Sequence, residues 1–344
     1  MQNAKFILSR KKAVEQYNKV KALADAVSYS SKTNQDVTRI LEDETDSMFS
    51  VHFINELKHV KDMSRVIFLA QGWTEDFIKD LVNRGIKSFI VDNESDLDIF
   101  LKFLEGYDGK LNLMLRLKLK EMTIRTERYF VFGMRAAVIN RRIKELRKHP
   151  KISELGIHFH RKTQNMSEWN LKYELSQIIE EDTLKAIDVM NIGGGLPAEY
   201  ANTNVNVLDS IIKRINELRE WLHSYNIKMI IEPGRFIAAP AAKLVTYVIG
   251  VHENNIIVNA SVYNSDMDAI IVPVKLLVEG ELEKGQGEPF VIKGITPCSM
   301  DIFRYRVYLN RPKVGDRIVF LNAGAYNFSS DFCDLEKLPT EVVE

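Results

Sequence analysis

The sequence predicts an α/β fold, in which a (β/α)8 TIM-like barrel is followed by a second, C-terminal antiparallel β domain. Short β-rich runs alternate with amphipathic helical runs over residues 23–240, which is the pattern of a barrel built from strand–helix units. After Pro240 the helical runs stop and β-rich runs separated by turn residues follow. Such a change is typical of an antiparallel sheet.

Eight runs rich in β-branched and aromatic residues predict the barrel strands. They cover 26–33, 48–52, 65–70, 88–92, 112–119, 155–160, 188–192 and 228–232. Between them, apolar residues recur with helical spacing. This spacing predicts helices over 35–44, 74–84, 94–105, 135–148, 169–187 and 206–225.

The C-terminal third of the chain predicts only strands. These lie over 245–251, 255–262, 269–277, 289–292 and 317–321. A helical strip over 11–23 precedes the first barrel strand, so the N-terminus is expected to pack with the β domain. The expected domains are therefore 23–240 for the barrel, and 1–22 plus 241–344 for the β domain.

Composition limits the classes of partner. The 344 residues are 45% apolar and 27% charged, enough for a large core. Lys+Arg and Asp+Glu balance at 47 each, so no overall field favours nucleic acid or an anionic membrane. Two cysteines, with no apolar run long enough for a signal peptide or a membrane span, indicate a cytoplasmic protein with a small-molecule partner.

Lys32 directly follows the first predicted strand. The chemistry of a barrel lies at the C-terminal ends of its strands, where a desolvated lysine amine can form a Schiff base. A lysine in this position is otherwise most often a solvated surface group. The position alone leaves both interpretations open.

His158 and His160 are two residues apart on the sixth predicted strand, so their side chains share a face. A metal site would need further ligands, and no acidic or cysteine residue is spaced to complete one. Histidines that form hydrogen bonds in a core are commoner. A third interpretation fits best, in which one imidazole lies flat against an aromatic cofactor.

Two glycine motifs follow the seventh and eighth predicted strands. Gly193-Gly-Gly195 lacks the full dinucleotide-binding spacing, but its N–H groups could converge on one phosphate; it could equally be a tight barrel turn. Glu232-Pro-Gly-Arg235 places a carboxylate and a guanidinium on one rim. Glu232 could hold a pyridinium proton while Arg235 binds a phosphate. Together with Lys32, these motifs predict a pocket for pyridoxal 5'-phosphate.

At these residues the chain resembles the fold-type III pyridoxal-phosphate decarboxylases, the group of ornithine, diaminopimelate and biosynthetic arginine decarboxylases. The resemblance runs from Tyr29-Ser-Ser-Lys32-Thr-Asn34 to Gly324-Ala-Tyr326. It implies that Lys32 is the Schiff-base lysine, that His160 stacks on the cofactor ring and that Glu232 pairs with the pyridine nitrogen. The other cofactor-binding residues that it implies are Arg116, Thr163, Gly193, Gly194, Gly195, Gly234, Arg235 and Tyr326.

The family carries a general-acid cysteine and a substrate carboxylate in the motif Gly-Pro-Thr-Cys-Asp/Glu-Ser-x-Asp, which reaches the partner subunit of a homodimer. Here the segment reads Gly-Ile-Thr-Pro-Cys-Ser-Met-Asp and ends at Asp301. Pro297 replaces the cysteine and Cys298 replaces the acid. We expect Cys298 to be the acid that reprotonates the carbanion, against the alternative of an ordinary buried cysteine. Together with Asp301 and Tyr326 it is expected to line the substrate pocket.

Other departures concern the distal end of the substrate. The ornithine type has an acid at the position of Ala260. Separately, the family's glycine turn after the stacking histidine is replaced by Arg161 and Lys162, so the phosphate site or the substrate entrance is expected to differ there. A desolvated ammonium without a partner would cost several kcal/mol. Unsubstituted ornithine or lysine is therefore not expected unless Asp301, Asp266 or Asp331 provides the carboxylate. No diaminopimelate-type signature follows Tyr263 either.

The resemblance implies a pyridoxal-phosphate-dependent decarboxylase of amino-acid or polyamine metabolism. Its substrate would be an amino acid, or a small molecule with an amino-acid head. One alternative is a decarboxylase of an aminocarboxypropyl group in microcin C-like antibiotic biosynthesis, which the basic Arg161 and Lys162 would suit. A pyridoxal-phosphate-dependent racemase and a non-catalytic regulatory homologue are the others.

Overall fold

The computed structural model describes residues 2–119, 131–203 and 205–344. Strand β1 (Lys5–Ser9) and helix α1 (Arg10–Lys21) come first. The remaining elements belong to two compact units. The first comprises Tyr17–Pro197 and Asn206–Gly234, and the second comprises Met1–Gln16, Ala198–Val205 and Arg235–Glu344.

The first unit is a closed barrel of eight parallel strands, which confirms the predicted (β/α)8 fold. The strands are β2 Ala26–Ser30, β3 Met48–Val51, β4 Val66–Ala70, β5 Ser88–Val91, β6 Leu111–Arg116, β7 Ile152–His158, β8 Val189–Asn191 and β9 Lys228–Ile231. Pairing of β2 with β9 closes the barrel, with Ala26 opposite Ile230. Buried apolar side chains from five of the strands form one cluster, namely Ile67, Ile90, Met114, Val189 and Ile230.

Helices connect the strands where the apolar spacing predicts them. They are α2 Gln35–Glu44, α3 Glu75–Asn83, α4 Glu94–Glu105, α5 Ala136–Leu146, α6 Leu171–Ile178, α7 Glu181–Leu184 and α8 Leu208–His223. Several begin at a capping side chain. Asn34 caps α2 by accepting hydrogen bonds from the N–H groups of Asp36 and Val37, and this cap directly follows the turn that carries Lys32.

The prediction of a single helix over 169–187 is wrong, because this segment forms two separate helices, α6 and α7. Asn140 of α5 explains the break. Its side-chain amide donates to the carbonyl of Ile178 at 3.0 Å and accepts from the N–H of Glu180 at 3.1 Å. These bonds satisfy backbone groups that a continuous helix would have paired internally.

The second unit is built around an eight-stranded sheet. It contains α9 Arg235–Ala241, β10 Ala242–His252, β11 Asn255–Val258, α10 Val262–Ser265, α11 Asp268–Ile271, β12 Leu277–Val278, β13 Glu288–Lys293, β14 Ile302–Leu309, β15 Arg317–Leu321 and β16 Thr340–Val343. The strand order is β12-β15-β10-β11-β13-β14, and β1 pairs with β10 and β16. Most pairs are antiparallel, as predicted, but β1 with β16 and β11 with β13 are parallel.

Two local predictions in this unit need correction. The prediction of a strand over 269–277 is wrong, because most of this segment is α11 and a loop. Asp268, at the start of α11, forms a buried ion pair with Arg235. Pro273 also interrupts the segment. Strand β14 was not predicted, since its charged residues obscure the alternation. One of them, Arg304, is buried and donates to the carbonyl of Leu276 and to Glu281.

In the part of the chain that the structure describes, no helix is both long and apolar enough to cross a membrane.

Candidate active site

Lys32, His160 and Glu232 all lie just beyond barrel strands, at the C-terminal end of the barrel. Lys32 occupies a short 3-10 turn after β2, and His160 follows β7. The charges of Lys32, Glu232 and Arg116 all act on His160, so the fold brings together the residues that the motifs singled out. Lys32 is exposed rather than buried as expected, because it lies in a turn beyond the end of β2 rather than in the strand itself.

Glu232 is a buried carboxylate held by three side chains. One of its oxygens accepts hydrogen bonds from Ser50 Oγ at 2.7 Å and Asn191 Nδ2 at 2.8 Å. The other oxygen lies 3.4 Å from His158 Nε2. Burial alone would raise the pKa of Glu232, but His158 and the two hydrogen bonds outweigh it and hold the pKa well below its usual range. The group is therefore a charged acceptor inside the barrel.

His160 is fixed by the glycine run that follows β8. Its Nδ1 accepts a hydrogen bond from the N–H of Gly194 at 3.2 Å. Desolvation by the protein atoms packed around the ring, the neighbouring His158 and the charge of Lys32 lower the pKa of His160 to about 3. The imidazole is therefore neutral at physiological pH, while part of the residue still reaches solvent. A neutral ring with an exposed face suits stacking against an aromatic ring.

The glycine run has no room for side chains. A Cβ on Gly193, whose φ is +65°, would lie 2.4 Å from the carbonyl oxygen of Phe159, and a Cβ on Gly194 would lie 2.5 Å from that of Glu232. The backbone thus approaches the strand ends more closely than any other residue type allows. The run is a tight turn beside the candidate cofactor residues, and its binding of a phosphate stays a prediction.

Two of the three N–H groups of this run donate to side chains of the protein, whereas the sequence suggested that they could converge on a phosphate. The N–H of Gly193 donates to Asn191 Oδ1 at 2.9 Å, and that of Gly194 donates to His160. Gly195 is then the remaining member of the run that could offer its N–H to a phosphate. Its carbonyl accepts from Asn165 N at 2.9 Å, which brings the loop containing Thr163 alongside.

The two cations beside Thr163 are neutralised by carboxylates of the same loop and of helix α6. Arg161 is buried and forms ion pairs with Glu168 and Glu174. Lys162 pairs with Glu168 at 3.0 Å. The loop therefore presents no unpaired basic pair, in contrast to the impression given by the sequence.

Two further residues complete this end of the barrel. Arg116, at the end of β6, forms an ion pair with Asp92 at 2.8 Å and lies over the ring of Phe132. Gly234 packs on the lysine turn, because a Cβ there would lie 2.2 Å from Thr33 Oγ1. The tight fit at Gly234 places the end of the Glu232 motif directly against the turn of Lys32.

In the second unit, Arg235 is anchored by Asp268. Both side chains are only 3% exposed, and two guanidinium nitrogens meet the two carboxylate oxygens. Arg235 also donates to the hydroxyl of Tyr200 at 2.9 Å and lies 5.1 Å from the ring centre of Tyr326. Its guanidinium thus has a buried acidic partner. Phosphate binding by Arg235, and the role of Tyr326 beside the cofactor, stay predictions.

Two candidate substrate residues of the second unit, Cys298 and Asp301, have different surroundings. The Cys298 sulfur lies 3.1 Å from the hydroxyl oxygen of Tyr263. Asp301 is buried, and its carboxylate accepts hydrogen bonds from Val262 N, Thr296 N and Thr296 Oγ1. The geometry gives Asp301 a local structural role, and its contact with a substrate stays a prediction.

Sequence reasoning missed the partners of the functional residues. They are Ser50, Asp92, Asn191, Tyr200, Tyr263 and Asp268. Ser50, Asp92 and Asn191 lie in or just after barrel strands close to their C-terminal ends, so their position was a usable signal. Asp268 carried none, because its partner Arg235 was predicted to bind phosphate and Asp268 itself lies just outside the strand predicted over 269–277.

Comparison with known proteins places these residues in context. The family model described as "Pyridoxal-dependent decarboxylase, pyridoxal binding domain" matches residues 9–239, well over half of the chain. A curated relative, diaminopimelate decarboxylase of Aquifex aeolicus, is 24% identical over 284 residues, covering 77% of this chain and 66% of the relative. The chain thus spans just under two thirds of that relative's length.

A second relative, from Staphylococcus aureus, is named 2-[(L-alanin-3-ylcarbamoyl)methyl]-2-hydroxybutanedioate decarboxylase; it is 23% identical, covering 81% of this chain and 76% of the relative. Among solved structures, diaminopimelate decarboxylase of Helicobacter pylori complexed with L-lysine has a TM-score of 0.84 at 18% identity, covering 100% of this chain and 92% of the other. Lysine/ornithine decarboxylase of Vibrio vulnificus complexed with cadaverine has a TM-score of 0.80 at 21% identity, covering 99% and 94%. These structures share the fold.

Asp268→Ala should destabilise the protein by about 3–5 kcal/mol, because it leaves the buried guanidinium of Arg235 without its counter-charge. The free energy of unfolding in urea measures this loss. Asp98→Ala is the control. The carboxylate of Asp98 is exposed and lies 2.8 Å from the guanidinium of Arg142, so its removal should cost less than about 1 kcal/mol. Equal losses in the two variants would show that the Asp268 pair is not a structural anchor.

Proposed function

Because the chain belongs to the pyridoxal-dependent decarboxylase family, we propose that it removes the α-carboxylate of an amino acid or of a small molecule with an amino-acid head. The observation that supports the proposal is that the carboxylate of Glu232 is buried and has a lowered pKa. A buried carboxylate that stays charged can keep the pyridine nitrogen of the cofactor protonated. The hydrogen bonds from Ser50 and Asn191 fix it in position before any ligand binds.

The residues present fit pyridoxal phosphate. The exposed amine of Lys32 is accessible for covalent attachment, the neutral ring of His160 offers a flat face, and the glycine run leaves a cradle that a side chain would fill. When bound, the cofactor supplies an electron sink for the α-carbon. Lys32 would anchor it, Glu232 would hold the proton on the ring nitrogen, and Gly195 with Thr163 would meet the phosphate.

The second-unit residues proposed to meet the distal end of the substrate depart from the family pattern. Ala260 is buried where the ornithine type has an acid, and the carboxylate of Asp301 is occupied by internal hydrogen bonds. Asp266 is buried too, and burial together with the charge of Asp268 raises its pKa well above the usual value. Burial therefore disfavours the charged form of Asp266, which is the form that would hold an ammonium group strongly. These features favour a substrate whose distal end is not a bare ammonium.

The Staphylococcus aureus relative supports this class of substrate, because its name describes an amino-acid head carried on a hydroxybutanedioate. The microcin C-like alternative loses its main structural argument. The Arg161 and Lys162 cations that would have met a nucleotide phosphate are paired with Glu168 and Glu174.

We further propose a cytoplasmic homodimer with shared active sites. Neither Cys298 nor Cys333 forms a disulfide, as expected of a protein from a reducing compartment. Ile295 and Met300, on the loop that carries Cys298, are 47% and 58% exposed. Exposed apolar side chains on both sides of a candidate catalytic residue are typical of a surface that a second subunit covers.

The function is tested by CO2 release. Purified protein loaded with pyridoxal phosphate is incubated with ornithine, lysine, diaminopimelate and amino-acid conjugates that end in carboxylates, and products are scored by the mass loss of CO2. We expect decarboxylation of a conjugate and little of ornithine or lysine. If the loaded protein incorporates solvent deuterium at the α-carbon and releases no CO2, the racemase alternative is correct.

Lys32→Ala should abolish covalent attachment of the cofactor. Borohydride treatment of the wild type should leave pyridoxal phosphate bonded to the peptide that contains Lys32, because a Schiff base is reduced to a stable amine. Mass spectrometry of the digested protein measures this. Lys58→Ala, at another exposed lysine, should be labelled as the wild type is. Labelling of Lys32→Ala at full stoichiometry would refute the assignment.

Glu232→Gln should slow CO2 release by at least about 100-fold while the cofactor stays bound, since an amide cannot hold the ring proton. The rate is measured on the best substrate, and bound cofactor by absorbance after gel filtration. Glu220→Gln, at an exposed position on α8, is the control. If Glu232→Gln loses bound cofactor but releases CO2 at the wild-type rate per bound cofactor, this role of Glu232 is contradicted.

Mixed dimers should recover activity. When inactive Lys32→Ala and Cys298→Ala subunits exchange at random, about half the dimers are mixed and each has one intact site, so roughly a quarter of wild-type activity is expected. Native mass spectrometry verifies the exchange. If exchanged dimers stay inactive, Cys298 does not complete the neighbouring subunit's site.

A further inference from the structure

We propose that Tyr263 is the positioning residue for Cys298 and holds its sulfur by a hydrogen bond. This inference rests on the proposed function, in which Cys298 protonates the substrate carbon. The hydroxyl oxygen of Tyr263 lies 3.1 Å from the sulfur, within hydrogen-bonding distance for this pair. Either atom can donate while the thiol is intact, but only the tyrosine can donate once the sulfur has lost its proton.

The two residues come from different segments of the second unit, and Asp301 fastens those segments together. One carboxylate oxygen of Asp301 accepts from the N–H of Val262, the residue before Tyr263. The other oxygen accepts from the N–H and hydroxyl of Thr296, two residues before Cys298. The N–H of Asp301 in turn donates to the carbonyl of Cys298 at 3.0 Å. One buried carboxylate therefore fixes the separation of hydroxyl and thiol.

The ring of Tyr263 is fixed as well. Phe332 stacks on it, with ring centres 3.9 Å apart and planes inclined by 22°. The carbonyl of Tyr263 accepts from both the N–H and the hydroxyl of Ser330 at 2.9 Å. The stacking and the hydrogen bonds restrict the position of the Tyr263 hydroxyl. Little conformational entropy is therefore lost when this hydroxyl binds the Cys298 sulfur.

The charges around the pair agree with this arrangement. The hydroxyl of Tyr263 and the N–H of Met300 lower the pKa of Cys298, while the charge of Asp301 acts in the opposite direction. The hydrogen bond with Cys298 raises the pKa of Tyr263 to about 12, and Asp301 and Cys333 also raise it. Of the two groups, the sulfur therefore loses its proton first.

The proton transfer balances without another reactant. The S–H bond of Cys298 breaks as a C–H bond forms on the substrate carbon, and the negative charge passes from carbon to sulfur. Tyr263 keeps its proton and donates a hydrogen bond to the thiolate. Stabilising the product of this step makes the thiol a better acid, and solvent then restores the S–H bond.

The pair is tested first by thiol titration, which needs no activity. In a Cys333→Ser background, alkylation of Cys298 by iodoacetamide is followed by mass spectrometry as a function of pH. Tyr263→Phe keeps the ring and removes the hydroxyl, so the midpoint should move to higher pH by about one pH unit, the value expected for one hydrogen bond to a charged atom. Tyr305→Phe, at a tyrosine 65% exposed in the same unit, should leave the midpoint unchanged.

An unchanged midpoint in Tyr263→Phe, or an equal change in Tyr305→Phe, would overturn the proposal.

Activity separates this inference from the proposed function. On a substrate that releases CO2, Tyr263→Phe should lower kcat more than it changes KM, and Cys298→Ser with Tyr263→Phe should be no slower than Cys298→Ser alone, because the two residues act as one unit. Additive losses would refute the coupling. If no substrate releases CO2, the proposed function fails while the titration still decides the pair.

Discussion

The closure of the barrel is the constraint on which the rest of the site depends. Pairing of β2 with β9 joins the first and last barrel strands, and the hydrogen bond between Ser50 and Glu232 links residues 182 positions apart. Neither Lys32 nor Glu232 could be placed by local structure, since each lies in a short segment that only the closed ring of strands fixes. The tight contact of Gly234 with the turn of Lys32 then brings the two ends of the barrel sequence together.

In each of the two units, the charged candidate residues are held in place by partners within their own unit. Glu232 has Ser50, Asn191 and His158, Arg116 has Asp92, and Arg235 has Asp268. Burying a charge without such partners would cost several kcal/mol. Because the partners are already in position, binding a ligand requires little reorganisation of the polar groups around it.

The sequence predicted the barrel well because strand–helix alternation is a local signal, and because catalytic groups at strand ends are a property of the fold. It predicted partners poorly, because a hydrogen bond such as that of Asn140 with Ile178 and Glu180 joins different helices and leaves no mark in either. The same reason accounts for Arg161, whose charge suggests an anion site until Glu168 and Glu174 are seen beside it. Motifs indicate the chemistry that is available, while long-range contacts determine which groups remain available for a ligand.

The contact between Gly194 and His160 has a consequence for the imidazole. Because the backbone N–H donates to Nδ1, the neutral ring must carry its hydrogen on Nε2. The tautomer is thus chosen by the main chain. With one nitrogen occupied as an acceptor and the other already protonated, the neutral ring has no free lone pair with which to take up a proton from a substrate, so it could contribute only its flat surface and the N–H at Nε2.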